Sequence, residues 1–445
     1  MKTKLHNLEE FMTLGKESLS NEQTSELENK ERLRLAAKNI IDCFDFQPTK
    51  ESLLVVTDTK VMELNQSFIE SIQQELEQRT SQDPRAAGGY ELYVIPASPK
   101  SATPLGETIG KKMLDRPVLI VTSMSRSHSS ETGTAIRGNA VERSVIEQIL
   151  SSPTFTQTVN KGWSGLSPQR LRELNGRLPD SSYKKMKLLA KSTRSRIISI
   201  TKGHNPYDIL TKGAVLENVE VLRERADKIQ KLMRDVNRVH ITTELGTDLW
   251  LKVRPEYMEL EDGRLNKPGQ LSNYPIGEWS CSPDWQGSDG ILIVDGPCGG
   301  NINQDILDKG QPLRLTIQNG EVVRVEGSTE AKKLWVAYLD SGNNRHNDAY
   351  RLAEFGVGTN RRALEAKPRE YWGSSEGEKK YGTVHIAVGS NGSFGREPGT
   401  PNFNSATVHC DMVIGLNSGG EVTVECERND GSMFKFIEKG EPQEY

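Results

Sequence analysis

The 445-residue sequence lacks the features that place a protein in a membrane or in an oxidising compartment. No stretch approaches the roughly 18 uninterrupted apolar residues of a transmembrane helix, and the polar start has no apolar signal-peptide core. The five cysteines are odd in number and form no Cys-x-x-Cys pair, which argues against a disulfide framework and against a zinc-thiolate site. We therefore expect a protein of the reducing cytoplasm.

The sequence also lacks an excess of charge of either sign. Its 57 Lys and Arg residues against 61 Asp and Glu residues give a net charge of -4, which argues against a globally basic nucleic-acid binder. No Gly-x-Gly-x-x-Gly motif follows the first predicted strand, so a dinucleotide-binding role is disfavoured. We expect a peptide or a small molecule as substrate, and neither nucleic acid nor a membrane as partner.

The first half of the chain alternates short apolar runs with helical stretches. This alternation predicts an α/β domain built around a parallel sheet. The predicted strands cover residues 52–58, 90–96, 117–122 and 196–201, and the predicted helices cover 61–78 and 134–150. From residue 238 the pattern becomes rich in strands, and Asn319-Gly320 and Asp430-Gly431 predict two hairpin turns.

These patterns predict three segments along the chain: a polar N-terminal arm (1–30), an α/β domain (31–235) and a β-rich α+β domain (236–445). A charged helix at 219–236 would join the two domains. Near 151–196 the α/β domain carries an insertion in which residues 169–196 are strongly basic. We interpret this stretch as a solvated helical insertion, and the alternative is a positive lip that steers anionic ligands.

Two histidines lie in strand-like segments of the second half. His409 and Asp411 are two residues apart, so a strand would project both from one face. His385 lies in an otherwise apolar run, 382–389. Imidazoles and carboxylates that converge from neighbouring strands suit Zn, Fe, Mn or Co, although a lone histidine in such a run is more often a satisfied core residue.

Two glutamates beside glycines extend this candidate set. Glu278 follows Gly277 in a turn-like context, and Glu354 precedes Gly356 and Gly358, where the backbone could approach a ligand closely. Taken singly, each glutamate is better explained as a surface turn residue. Together with the two histidines and Asp411 they form a three-carboxylate, two-imidazole set that could hold two divalent cations.

These motifs resemble the aminopeptidase T / aminopeptidase S family of thermophilic two-metal peptidases. The matching segments keep their order: ITTELGTD (241–248), PIGE (275–278), GILIVDG (290–296), LAEFGVGTN (352–360), GTVHIAVG (382–389) and HCDMV (409–413). The resemblance implies a homodimer that encloses its active site. It also implies that the metal ligands are Glu278, Glu354, His385, His409 and Asp411, with Glu278 bridging two cations (Zn, Co or Mn).

The resemblance therefore predicts a metallo-aminopeptidase, a hydrolase that cleaves N-terminal peptide bonds with metal-activated water. The general base would be Glu354 or Glu378, although Glu378 lies in a segment typical of an exposed charged loop. The family's peptidases have a Tyr shortly after the first ligand His, and residues 389–395 contain none. One alternative is a ring-cleaving dioxygenase of the 2,5-dihydroxypyridine type from the same superfamily, with one Fe(II) on His385, His409 and Asp411. A second alternative is a metal-free binding protein.

Overall fold

The computed structural model describes residues 21–47, 51–81, 90–95, 116–121, 190, 194–200, 212–300, 302–365, 369–396 and 398–443, and helices and strands are numbered along this part of the chain. Three predicted features fall outside it: residues 1–20 of the polar arm, the helix at 134–150, and nearly all of the basic stretch 169–196. Both interpretations of that stretch therefore stay open.

Five parallel strands form the first sheet. They are β1 (Leu53–Asp58), β2 (Tyr90–Ile95), β3 (Pro117–Val121), β4 (Arg196–Ile200) and β8 (Leu271–Asn273). Their order across the sheet is β2-β1-β3-β4-β8. The first four coincide with the predicted apolar runs, whose side chains are suited to a sheet that is covered on its faces. The predicted α/β class with parallel-sheet character is confirmed.

Two long helices, α1 (Asn21–Asp42) and α2 (Thr59–Ser81), pack against each other beside the parallel sheet. In α1 the buried residues Leu33, Ala37 and Ile40 recur at helical spacing, and in α2 Phe68 and Ile72 do the same. These apolar faces join the strand residues in one hydrophobic cluster. The described end of the predicted polar arm, residues 21–30, forms the first turns of α1.

Eight strands form a second, antiparallel sheet. They are β5 (Val236–Thr242), β6 (Asp248–Lys252), β10 (Asp284–Val294), β11 (Leu313–Gln318), β12 (Glu321–Glu326), β16 (Thr423–Arg428), β17 (Met433–Glu438) and β18 (Glu441–Pro442). Both predicted hairpins are confirmed, since β11 pairs with β12 and β16 with β17. Asn319 and Gly320 have φ of 48° and 71°, as a two-residue hairpin turn with positive φ at both positions requires.

The third sheet is antiparallel and carries the candidate site. Its strands are β7 (Met258–Glu261), β9 (Glu278–Cys281), β13 (Leu352–Gly358), β14 (Val384–Gly389) and β15 (His409–Ile414), in the order β15-β14-β13-β9-β7. One face contributes Trp279, Phe355, Ile386 and Met412 to a hydrophobic core that also takes side chains from the second sheet. The strands thus alternate between an apolar face in the core and an opposite face free for polar groups.

Four further helices complete the described fold: α3 (Val219–Met233), α4 (Gln304–Asp308), α5 (Thr329–Ser341) and α6 (Ser374–Gly377). Helix α3 places Leu222 in the core of the parallel sheet and Ile229 in the core of the antiparallel sheets. The division of the chain at residue 235 stays a prediction, and β8 pairs with β4 although it lies beyond that residue. Within the described residues, no helix is both long and apolar enough to cross a bilayer. The cytoplasmic location also stays a prediction.

Candidate metal centre

The five predicted ligand residues lie on four neighbouring strands of the third sheet. Glu278 is on β9, Glu354 on β13, His385 on β14, and His409 and Asp411 are on β15. Residues paired across an antiparallel ladder project from the same face, and the register places all five on the face opposite the core. The predicted projection of His409 and Asp411 from one face is therefore confirmed.

Small residues between the ligand candidates keep this face open. Gly356 pairs with His385 across the ladder, and a Cβ at Gly356 would lie 2.1 Å from His385 Cε1 and Nε2. Ala387 occupies the place between Glu354 and Asp411 in the same row. The sequence suggested that glycine beside Glu354 admits a ligand to the backbone. In the structure Gly356 instead admits the imidazole ring of His385.

The ligand candidates form two groups that share Glu354. In the buried group, made of Glu278, Glu354 and His385, His385 Nε2 lies 3.1 Å from Glu354 Oε1 and 3.9 Å from Glu278 Oε1. In the outer group, made of Glu354, His409 and Asp411, His409 Nε2 lies 2.8 Å from Glu354 Oε2 and 3.0 Å from Asp411 Oδ1. The shared carboxylate is thus Glu354, whereas the family resemblance implied that Glu278 would bridge the two cations.

The two groups differ in exposure. The side chains of Glu278, Glu354 and His385 are almost completely buried, whereas His409 and Asp411 keep 30% and 21% of their side-chain surface exposed. A substrate that approaches from solvent would therefore reach the outer group first.

Contacts behind the ligand atoms orient the rings. His409 Nδ1 donates to the backbone carbonyl of Ser390 at 2.7 Å, which directs Nε2 towards the carboxylates. The buried His385 Nδ1 atom has no hydrogen-bond partner among the residues that the structure describes, while Nε2 faces the carboxylates. Glu278 Oε1 accepts a hydrogen bond from Ser280 Oγ at 3.2 Å.

A buried lysine that was not predicted from the sequence lies directly behind Glu278. Lys379 Nζ lies 2.5 Å from Glu261 Oε2 and 3.2 Å from Glu378 Oε1, and it also donates to Glu278 Oε2. Lys379 and Glu378 are only 3% and 7% exposed, so the interpretation of this segment as an exposed charged loop is wrong. The local charge pattern gives no signal that would distinguish the two cases.

Charge pairing in a dry environment governs the ionisation of the site. Burial raises the pKa of Glu278 to about 8, although Lys379 and His385 oppose the rise. Burial disfavours the charged form of Glu354 as well, but hydrogen bonds from His385 and His409 hold the pKa of Glu354 well below its usual range. Burial also disfavours protonated His385, yet the neighbouring Glu278 and Glu354 raise its pKa to about 9.

The outer histidine and the lysine follow the same pattern. Burial favours neutral His409, but Asp411 and Glu354 raise its pKa well above the usual range. Burial likewise opposes the charge on Lys379, and Glu261, Glu278 and Glu378 outweigh it, so the pKa of Lys379 lies well above its usual range. Without a metal ion, protons on the imidazoles thus balance the carboxylate charge.

The donor set fits divalent transition-metal cations. Imidazole nitrogens with carboxylate oxygens are the ligands that Zn, Fe, Mn and Co share, and each of the two groups offers three donor atoms within 4.8 Å of one another. A cation that replaced the imidazole protons would balance the negative charge of the same carboxylates.

Comparisons with known proteins match this chain to one family model and to two solved structures of similar fold. The family model described as "NicX: 2,5-dihydroxypyridine 5,6-dioxygenase" matches residues 183–414, just over half of the chain. The solved structure of 2,5-dihydroxypyridine dioxygenase from Pseudomonas putida KT2440 is similar with a TM-score of 0.56 at 13% identity, covering 93% of this chain and 97% of that chain. Wild-type AmpT from Thermus thermophilus is similar with a TM-score of 0.54 at 15% identity, covering 93% of this chain and 99% of that chain. A search of curated proteins finds no match.

Proposed function

This chain belongs to the NicX (2,5-dihydroxypyridine 5,6-dioxygenase) family, and we propose that within it the chain is a two-metal hydrolase that removes N-terminal residues from peptides. The superfamily resemblance inferred from the sequence is supported, because an aminopeptidase and a ring-cleaving dioxygenase share the fold. The choice between the two chemistries rests on the geometry of the donor set.

The position of Glu354 carries the proposal. Its Oε1 faces His385 and its Oε2 faces His409, so the two histidines fall into different donor groups. A facial triad on one iron needs both imidazoles and one carboxylate around a single point. A carboxylate with one oxygen in each of two groups is instead the arrangement of a bridging ligand between two cations.

The buried group and the outer group would each hold one cation, with Glu354 between them. Cations bound there would polarise a scissile carbonyl, anchor a free amine and lower the pKa of a water molecule. Asp411 and His409 border solvent, so they would meet the amino end of a peptide first.

Among the chain's own groups, Glu378 is the better general base. Both oxygens of Glu354 are engaged by imidazoles, whereas Glu378 belongs to neither donor group. Glu378 is buried and pairs with Lys379, which also contacts Glu278. A Glu378 carboxylate oxygen would accept the proton of the attacking water and return it to the leaving amine. Lys379, at 3.2 Å from Glu378 Oε1, restrains that carboxylate.

Ring-cleaving oxygenation is the second candidate, because the family model that matches this chain is described by that reaction. It would need one Fe(II) with positions open to an aromatic substrate and dioxygen. In this chain the outer group supplies one imidazole and two carboxylates, and the second imidazole lies in the buried group. The geometry therefore favours this candidate less.

Metal stoichiometry and a paired activity assay test the proposal. The apo-protein is loaded with Zn, Co, Mn or Fe(II) and offered amino-acyl anilides and dihydroxypyridines in parallel. We expect two cations per chain and anilide cleavage with at least one metal. Oxygen uptake with Fe(II), together with no anilide cleavage under any metal, would overturn the proposal in favour of the dioxygenase, and a chain that binds no metal would be the binding protein.

A variant at Glu378 separates catalysis from metal binding. Glu378→Gln should keep the parent's cation stoichiometry and lower anilide turnover by about 10²–10⁴-fold, the usual contribution of a general base. Glu365→Gln, at an exposed glutamate on the same stretch of chain, is the matched control and should leave turnover unchanged. Full activity in Glu378→Gln would remove Glu378 from the mechanism.

A further inference from the structure

Lys379 is a fixed positive charge beside the candidate metal centre, and its contacts extend beyond the Glu378 carboxylate that it restrains. Its ammonium group contacts three buried carboxylates, Glu261, Glu278 and Glu378, and its side chain is 4% exposed. Burying a lysine is costly unless partners surround its charge. Three carboxylates around one ammonium group hold the lysine in a single position.

The two carboxylate oxygens of Glu278 have different partners. Oε2 accepts from Lys379, while Oε1 faces His385 Nε2 at 3.9 Å and accepts from Ser280 Oγ. Only Oε1 is therefore directed at the buried group. A cation bound there would meet Glu278 through one oxygen, with an ammonium group behind the other.

In the described part of the chain, the outer group has no lysine in a comparable position. Among the described residues, Glu354 and Asp411 form ion pairs with histidines and with neither lysine nor arginine. An ammonium group that pairs with a ligand carboxylate repels a cation bound to the same carboxylate. The two groups thus differ in whether a lysine pairs with one of their carboxylates.

We propose that Lys379 is a positioning residue that limits Glu278 to one metal-facing oxygen and thereby weakens cation binding in the buried group relative to a site without it. This inference rests on the proposed metal centre and concerns how the chain sets the affinity of one half of it. A purely structural lysine would act in the opposite direction, because its loss would disorder Glu278 and weaken binding.

Zn²⁺ and Mn²⁺ titration of the full-length apo-protein by calorimetry tests the inference. Lys379→Met should tighten the cation step of the buried group by more than about tenfold, because a unit charge a few ångströms away is removed in a low-dielectric site. The outer step should stay within about twofold of the parent. His385→Ala, which removes a donor from the buried group alone, identifies the step that belongs to that group.

Two variants control for charge and for position. Lys379→Arg keeps the charge and should retain weak binding. Lys380→Met removes a neighbouring lysine whose Nζ contacts the backbone carbonyl of Arg361 at 3.3 Å, and it should bind as the parent does. If Lys379→Met does not fold, the double variant Glu261→Gln/Lys379→Met removes one charge of each sign and should show the same tightening.

Unchanged or weaker binding in the buried group of Lys379→Met, or of the double variant, would overturn the inference. Failure of the proposed function gives a different result, namely a parent chain that binds a single cation. In that case the inference predicts that Lys379→Met acquires a second cation, and a variant that still binds one would refute it.

Discussion

The apo-protein should lose stability as the pH rises from 6.5 to 9, because the buried site holds protons that the unfolded chain releases. His385 has a pKa of about 9 in the native state, against 6.5 for an ordinary histidine. Its contribution to the free energy of unfolding is complete below pH 6.5 and disappears as the pH rises through 9. At about 1.4 kcal/mol for each pH unit, the loss amounts to about 3 kcal/mol.

Glu278 acts in the same direction over a lower range. Its native pKa of about 8, against 4.5 for an ordinary glutamate, removes stability between those two pH values. Glu354 and Asp411 have lowered pKa values, so their contributions are present above the ordinary carboxylate range and are lost only in more acidic solution. Between pH 6.5 and 9 the falling contributions of His385, His409 and Glu278 all act at this site.

The assay is urea unfolding of chelator-treated protein at pH 6.5, 8 and 9, followed by the fluorescence of the buried Trp279 and Trp335. His385→Gln should reduce the loss between pH 8 and 9, where Glu278 has already titrated and His409 still contributes. His346→Gln, at an exposed histidine, is the matched control and should unfold as the parent does. Stability that stays constant or rises from pH 6.5 to 9, or an unchanged loss in His385→Gln, would refute the reasoning.

Three further predictions test the surroundings of the site. Gly356→Ala should displace the His385 ring and weaken the buried group's cation step in calorimetry, whereas Gly373→Ala, where a Cβ meets nothing within 4 Å, should not. His409→Ala should lower the cation affinity of the outer group by more than about 100-fold, since mutating only the residues that hydrogen-bond to a metal ligand costs about 10–100-fold. Unchanged binding would show that His409 is not a ligand. Asp295→Ala should lower the unfolding free energy by about 3 kcal/mol in urea, because its carboxylate accepts three backbone N–H groups of residues 415–417; a loss below about 1 kcal/mol would show that this loop needs no such cap.

The architecture was largely predictable from the sequence because local pattern dictates it. Short apolar runs separated by helical stretches gave the first four strands of the parallel sheet, since such runs are stable where both faces are covered. Asn319-Gly320 predicted its hairpin because few other residue pairs adopt positive φ at both positions. The fifth strand, Leu271–Asn273, was not predicted, because three residues carry no periodicity.

The residues of the candidate site could be predicted from the sequence for a related reason. His409 and Asp411 are two residues apart, and in a strand that spacing alone fixes a common face. Glu278, Glu354 and His385 were found because their motif contexts resemble those of a known family. No local rule specifies that strands so distant along the chain become neighbours in one sheet.

The tertiary structure alone decided how these residues work together. The folded sheet brings Glu354 Oε1 to His385 and Glu354 Oε2 to His409, which makes Glu354, rather than Glu278, the shared carboxylate. The same packing buries Lys379 against Glu261, although its neighbours in the sequence are typical of a solvated loop. The sequence by itself determines which side chains alternate to which face, because that follows from backbone geometry. Distances, burial and pKa values depend on contacts between remote segments, and only the folded chain brings those segments together.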